Sequence, residues 1–224
     1  REEIGIGFVD GFIGYIGYDM VKVFEPVLEP YMETLKDETD IPDFYMIRPK
    51  MIFGYSHKST IATFIVNDEN YIQEIDVIET LINSKYEHKP LLKATLLSEP
   101  KFVFEEEKFK QMVLNAKEMI RSGDIFQIVL SNRLKVKVKL DDFTFYRKLR
   151  SKNPSPYLYF LEFDNFSIIG SSPEVMVRLS DNTILLRPIA GTRKRGKNLK
   201  RDLELENEMI NDEKEVAEHI MLVD

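Results

Sequence analysis

Four groups of residues in this sequence have the types and spacing to do chemistry. Glu174 directly follows Ser171-Ser172-Pro173, a carboxylate beside a proline-fixed turn that could give a proton to a leaving group. Ala190-Gly191-Thr192 follows Pro188 and runs into Arg193, Lys194 and Arg195, so a glycine bend, a hydroxyl and three cations could receive an anionic small molecule. Glu215 and Glu218 lie three apart and share one helix face, with His219 beside them. Two carboxylates at that spacing suit a hard cation such as Mg²⁺, which favours oxygen ligands and keeps several waters. Gln127 is the one polar residue inside the apolar run Ile125–Leu130. Each group also has a plainer reading: strand ends with solvated cations, a solvated acidic helix face, a hydrogen-bonded core glutamine. Spacing alone leaves both open.

The elements that must position these groups can be read from periodicity. Val175, Val177 and Leu179 alternate with Met176 and Arg178, and Ile184, Leu185 and Leu186 form a second apolar run. Ser180-Asp181-Asn182 between them is turn chemistry, so the pair reads as a hairpin. The whole stretch Ile168–Arg195 reads as strand, tight turn, strand, polar hairpin, strand and glycine-containing turn, and Tyr157 to Phe163 is the strand leading into it. A helix starts in the acidic stretch Phe104–Glu107, matched to the positive helix end, and carries an apolar stripe of Phe109, Met112, Val113, Ala116, Met119 and Ile120 up to Gly123. Asp124 to Val138 reads as a strand, and Phe143 to Arg150 as a short helix broken by Asn153-Pro154-Ser155-Pro156. Glu215 to Asp224 has the pattern of an amphipathic helix.

Upstream, Gly5, Gly7, Gly11, Gly14 and Gly17 are spread among Phe8, Phe12, Tyr15 and Tyr18. A phosphate-cradling loop would pack its glycines between a strand and a helix and follow them with Lys-Ser/Thr. The spread pattern over residues 4–25 suits a bent strand with close backbone approach. Residues 26–50 hold Pro26, Pro30, Pro42 and Pro49 and read as irregular connection. Met51–Tyr55 and Thr60–Val66 form a hairpin, Tyr71–Lys85 a helix, and residues 86–103, with Pro90 and Pro100, a linker. This divides the chain into an N-terminal region, 1–99, and a second region, 100–224. His57 and His88 stand apart from carboxylate or hydroxyl partners in the sequence and read as surface or loop residues.

Composition narrows the function classes. A chain of 224 residues with 43% hydrophobic and 31% charged residues is that of a globular protein, and its net charge of −7 argues against nucleic acid or an anionic membrane as main partner. No run reaches the length of a membrane span and no signal peptide is visible, which makes the cytoplasm the default. Zero cysteines exclude disulfides, zinc–thiolate sites and thiol nucleophiles together. The opening at Arg1-Glu2-Glu3 and a helical pattern still running at Asp224 suggest a piece of a longer protein.

Five motifs in order, GDIFQIVLS, NPSPYLYF, GSSPE, PIAGTRKRG and DEKEVAEHIMLVD, resemble the chorismate-utilising enzymes, and most closely the anthranilate synthase large subunits. The match covers roughly residues 104–224, and GFIGYIGYD near the start is similar to the family's N-terminal region. The resemblance implies an α+β chorismate-binding fold with mixed or antiparallel sheets flanked by helices, incomplete at both ends. It implies that Glu174 is the acid that protonates the departing 4-hydroxyl of chorismate, that Ala190, Gly191 and Thr192 contact the substrate, and that Glu215 and Glu218 are the first of two pairs holding Mg²⁺. Family members that add water carry a lysine base where this chain has Gln127, so glutamine implies an ammonia user. Aminodeoxychorismate synthases often have lysine at the position of Ala190, so PIAGT implies anthranilate synthase. Pro156, Tyr157, Leu158 and Gly170 match the family's tryptophan feedback site, although its upstream contact segment has no counterpart here. The implied reaction converts chorismate and ammonia to anthranilate and pyruvate. A separate glutamine amidotransferase subunit would supply the ammonia, since a chain without cysteine cannot form a glutaminyl thioester. The alternatives are an aminodeoxychorismate synthase or a non-catalytic amino-acid-binding module.

Overall fold

Strands here are short and each has one antiparallel partner among the described residues. The computed structural model describes residues 7–223. Gly5, one of the five glycines of the opening stretch, and Asp224 lie outside them.

The chain divides into two units. The first comprises the residues up to Pro90 together with Phe163–Phe166. Its elements are β1 (Ile13–Ile16), the single-turn helices α1 (Val21–Phe24) and α2 (Glu29–Met32), β2 (Phe44–Ile47), β3 (Met51–Ser56), β4 (Ile61–Val66) and α3 (Glu74–Asn83). The bent strand expected over 4–25 is confined, among the described residues, to β1, which pairs with β2 with Gly14 opposite Met46. The Gly17 N–H still donates to the Asp43 carbonyl at 2.7 Å, and after it the chain turns helical instead. The hairpin of β3 and β4 and the helix α3 form where alternation and 3.6-residue spacing place them. Tyr15, Tyr45, Phe163 and Phe166 make the aromatic cluster of this unit, with Tyr45 and Phe163 centroids 4.5 Å apart.

The second unit, Leu91–Glu162 with Ser167 onward, carries every candidate site residue. Its elements are β5 (Thr95–Leu96), β6 (Lys101–Phe102), α4 (Glu106–Ser122), β7 (Leu134–Lys135), β8 (Val138–Lys139), α5 (Asp142–Lys152), β9 (Tyr157–Glu162), β10 (Ser167–Ser172), β11 (Arg178–Ser180), β12 (Thr183–Leu185), α6 (Leu199–Ile210) and α7 (Glu213–Val223). Helix α4 stops at Gly123, whose φ of 82° closes it in the left-handed conformation.

Two expectations need correction. The stretch 86–103 is more than a linker: β5 pairs with β8 and β6 with β7, and Asn132 donates to the Phe104 carbonyl at 2.8 Å while accepting from its N–H at 3.0 Å. The strand expected over 124–138 exists only in that paired second half. Residues 125–133 form no ladder, and Phe126 and Val129 are 90% and 84% exposed. An apolar run with strand propensity becomes a strand only where a neighbour takes its N–H and C=O groups.

Helix α5 packs on the β9–β10 hairpin through Phe143, Tyr146 and Phe160, whose ring centroids lie 5.7–6.0 Å apart. Asp141 caps α5 by accepting the Thr144 N–H at 2.7 Å. Among the described residues only Ala116 and Thr144 are buried, at 6% and 8% exposure, and the solvent-accessible surface is 19,546 Å². Two separate compact units of half this mass would together expose about 12,800 Å². Apolar faces of this chain are therefore largely uncovered.

Candidate functional site

The acid, the bend and the acidic helix arise from consecutive elements of the second unit. After β10, the Ser172 hydroxyl donates to the Glu174 carbonyl at 3.1 Å, which closes the Ser-Pro-Glu turn and sends Glu174 inward, half-buried. β11 and β12 follow as a hairpin whose two turn residues, Asp181 and Asn182, have φ of 47° and 65°. That is the paired positive-φ geometry of a type I′ turn, which Asn and Asp tolerate. The returning strand then delivers Leu186–Ile189 beside the acid. Glu174 lines an open cleft of about 790 Å³ with Ser172, Pro188, Ile189 and, from α7, Leu222 and Val223.

The bend comes next. Gly191 has a φ of 80°, a conformation that costs any residue with a Cβ. A Cβ there would stand 2.8 Å from Oε2 of Glu215, so the backbone favours glycine and any side chain would also displace that carboxylate tip. Arg193 fastens the bend to α6 and α7. Its guanidinium donates to Glu215 Oε1 at 2.9 Å, to Asp212 Oδ2 at 2.8 Å, to Glu208 Oε1 at 3.3 Å and to the Thr192 carbonyl at 3.0 Å. The Glu215 bond, ahead of all else, holds the guanidinium above its ordinary pKa. Asp212 caps α7, accepting the Lys214 and Glu215 N–H groups at 3.1 and 3.2 Å. The Glu215 N–H is the main reason the Asp212 carboxyl sits below the usual range. A second tie holds the far end of the loop, where the Gly196 N–H and the Arg195 guanidinium both reach Asp202 on α6 at 2.6 Å.

Helix α7 is inverted relative to a surface helix. Glu215 and Glu218 are half-buried, whereas Val216 and Ile220 are 40% and 59% exposed. A solvated acidic face would do the reverse. The pair suits a Mg²⁺ ion by donor chemistry, since such an ion takes one or two carboxylates and completes its shell with water. Among the described residues no group of three His, Asp or Glu side chains could surround an ion.

The remaining expected positions divide. Pro156, Tyr157, Leu158 and Gly170 are brought together on one hairpin, with Tyr157 opposite Ser172, Leu158 opposite Ser171 and Tyr159 opposite Gly170. The Tyr159 ring occupies the space over Gly170 that a Cβ would need, within 2.1 Å of its position. Thr192 and Ala190 flank the glycine of the bend. Gln127 lies on the exposed segment 125–133 and does not line the cleft of Glu174. Arg193, Asp202 and Asp212 were not singled out by sequence as holding the site. The one signal for Asp212 is its place just before the acidic start of a helix, where Asp serves as a cap.

Among the described residues no helix is long and apolar enough to cross a membrane. The family model of the chorismate binding enzymes matches residues 2–224. Anthranilate synthase component 1 of Lactococcus lactis is 41% identical over all of this chain and 50% of its own length. The protein of the same name from Aquifex aeolicus is 38% identical over 97% of this chain and 46% of its own length. The chain thus spans about half the length of the curated relatives it matches. The crystal structure of anthranilate synthase component I from Streptococcus pneumoniae superposes with a TM-score of 0.78 at 32% identity, covering 98% of this chain and 49% of that one. The α+β fold expected from the motifs is therefore present, and the chain belongs to the chorismate-binding enzyme family.

Proposed function

We propose that this chain supplies the proton-donating and cation-binding part of an anthranilate synthase active site. The observation that carries the reading is the convergence of three separate motifs of the second unit. Glu174 shares a cleft with Pro188, Ile189 and the end of α7, and two residues on, Gly191 lies so near Glu215 that a Cβ there would meet its Oε2 at 2.8 Å. Chorismate would lie along the Pro188–Thr192 segment with its bend. Glu174 would protonate the 4-hydroxyl oxygen as the C4–O bond breaks, which is needed because hydroxide is a poor leaving group. Ammonia adds at C2, and elimination of pyruvate then yields anthranilate. Neutral ammonia needs no base to become a nucleophile, in accord with Gln127 rather than lysine in the GDIFQIVLS motif. Glu215 and Glu218 would hold Mg²⁺, which when bound neutralises a substrate carboxylate and helps to orient the ring.

Ammonia would come from a glutamine amidotransferase partner, as the absence of cysteine and the "component 1" names of the relatives suggest. Pro156–Leu158 and Gly170 would belong to a tryptophan site on the β9–β10 hairpin. The decisive test is Glu174→Gln in the natural polypeptide that carries this sequence, assayed with chorismate, Mg²⁺ and an ammonium salt. Turnover to fluorescent anthranilate should fall by about 10²–10⁴ with chorismate binding retained. Unchanged turnover would remove Glu174 from the mechanism. A product that keeps its pyruvyl group and a 4-amino substituent would assign the chain to the aminodeoxychorismate synthases instead.

A further inference from the structure

We propose that Arg193 is a positioning residue that fixes the Glu215 carboxylate in the orientation needed for its cation, by binding one oxygen and leaving the other beside Gly191. This deepens the anthranilate synthase reading and rests on it for the identity of the cation.

The geometry is specific. Arg193 takes Oε1 of Glu215 at 2.9 Å, and Oε2 is the oxygen that lies against the Gly191 bend. A carboxylate has about four lone-pair sites, so one guanidinium N–H leaves capacity for a metal ion. The same guanidinium reaches Asp212 Oδ2, whose other oxygen caps the first turn of α7 on which Glu215 sits. Arg193 thus sets both the side-chain rotamer of Glu215 and the backbone beneath it. Arg193 and Glu215 side chains are each 22% exposed, so the pair is partly withdrawn from solvent. Three carboxylates around one cation would repel one another if it were removed. Lysine, a point charge without a planar fork, could not span all three. Groups that hold metal ligands in place are commonly worth 10–100-fold in metal affinity.

The test compares wild type, Arg193→Met and Arg193→Lys in the natural polypeptide carrying this sequence. Amide hydrogen exchange without any ligand comes first. Arg193→Met should exchange faster at Lys214 and Glu215 with the β9–β10 amides unchanged, and equal protection would overturn the proposal whatever the enzyme does. Calorimetric titration of Mg²⁺ in the presence of chorismate comes second. The dissociation constant should rise about tenfold in Arg193→Met, with Arg193→Lys recovering only part of it. Lost protection with unchanged Mg²⁺ affinity makes Arg193 a mere fastener and overturns the positioning role. Tighter Mg²⁺ binding makes the guanidinium a competitor and overturns it equally. A wild-type chain that binds no Mg²⁺ would sink the functional reading and the metal half of this proposal, while exchange alone still decides whether Arg193 holds Glu215.

Discussion

The loop Pro188–Gly196 and the segment 125–133 carry two motifs of the same family, yet they end in opposite conditions. The loop is tied by Arg193 to Glu208, Asp212 and Glu215, and by Arg195 and Gly196 to Asp202, all within 30 residues of sequence. The segment 125–133 has no ladder among the described residues and leaves Phe126 and Val129 in solvent. Charged and capping groups close in sequence can complete a structure locally. An apolar strand cannot, because its stability comes from a neighbouring strand and a covering face.

Substitutions can sharpen that contrast. Gly191→Val should have the largest effect, costing about 2 kcal/mol from the left-handed backbone with a β-branched side chain, and more once Glu215 is displaced. Urea unfolding of the second unit would measure it, and a neutral result would mean that the bend is not held as described. Asn198→Ala should cost about 1 kcal/mol, because the Asn198 side chain accepts the Arg201 N–H at 2.9 Å and starts the helix that anchors the loop. A pH series probes a third, independent tie. Asp141 is held below the usual carboxylate range, first by the Thr144 hydroxyl and then by its N–H. A depressed folded pKa stabilises fully above the unfolded value of about 3.9 and is lost as pH falls through the folded value. Stability should therefore be flat through neutral pH in this respect, and Asp141→Asn should blunt only the acid limb. Phe126→Asp should change stability by no more than about 0.5 kcal/mol. A larger loss would reveal a covering partner for 125–133 and erase the contrast.

What was legible in the sequence follows the same division. The hairpins β3–β4 and β11–β12, the separate strands β9 and β10 and the helices α3, α4, α5 and α7 are signalled by alternation, 3.6-residue spacing and turn residues within the segment itself. The pairing of β5 and β6 with β8 and β7 was missed because Pro90 and Pro100 dominate the local signal and the partners lie 32 to 44 residues on. Helix α6 was missed between two more conspicuous motifs, although Asn198 is a good cap. At the site, Glu174, Gly191 and Glu215 were visible as types at spacings. The role of Arg193 was not, since nothing in a run of three cations tells which of them faces three carboxylates.

The two-residue turn at Asp181-Asn182 has a consequence for how the cleft is assembled. Ser180 faces Thr183 and Arg178 faces Leu185, and beyond that last pair Glu174 and Ile189 line the same cleft. Adding or deleting one residue at the tip would shift the pairing by one, exchange the faces of Thr183–Leu185 and displace the chain that runs on to the glycine. The tip of a ribbon remote from the acid therefore acts as the ruler for the whole cleft, and its length should tolerate change less well than its composition.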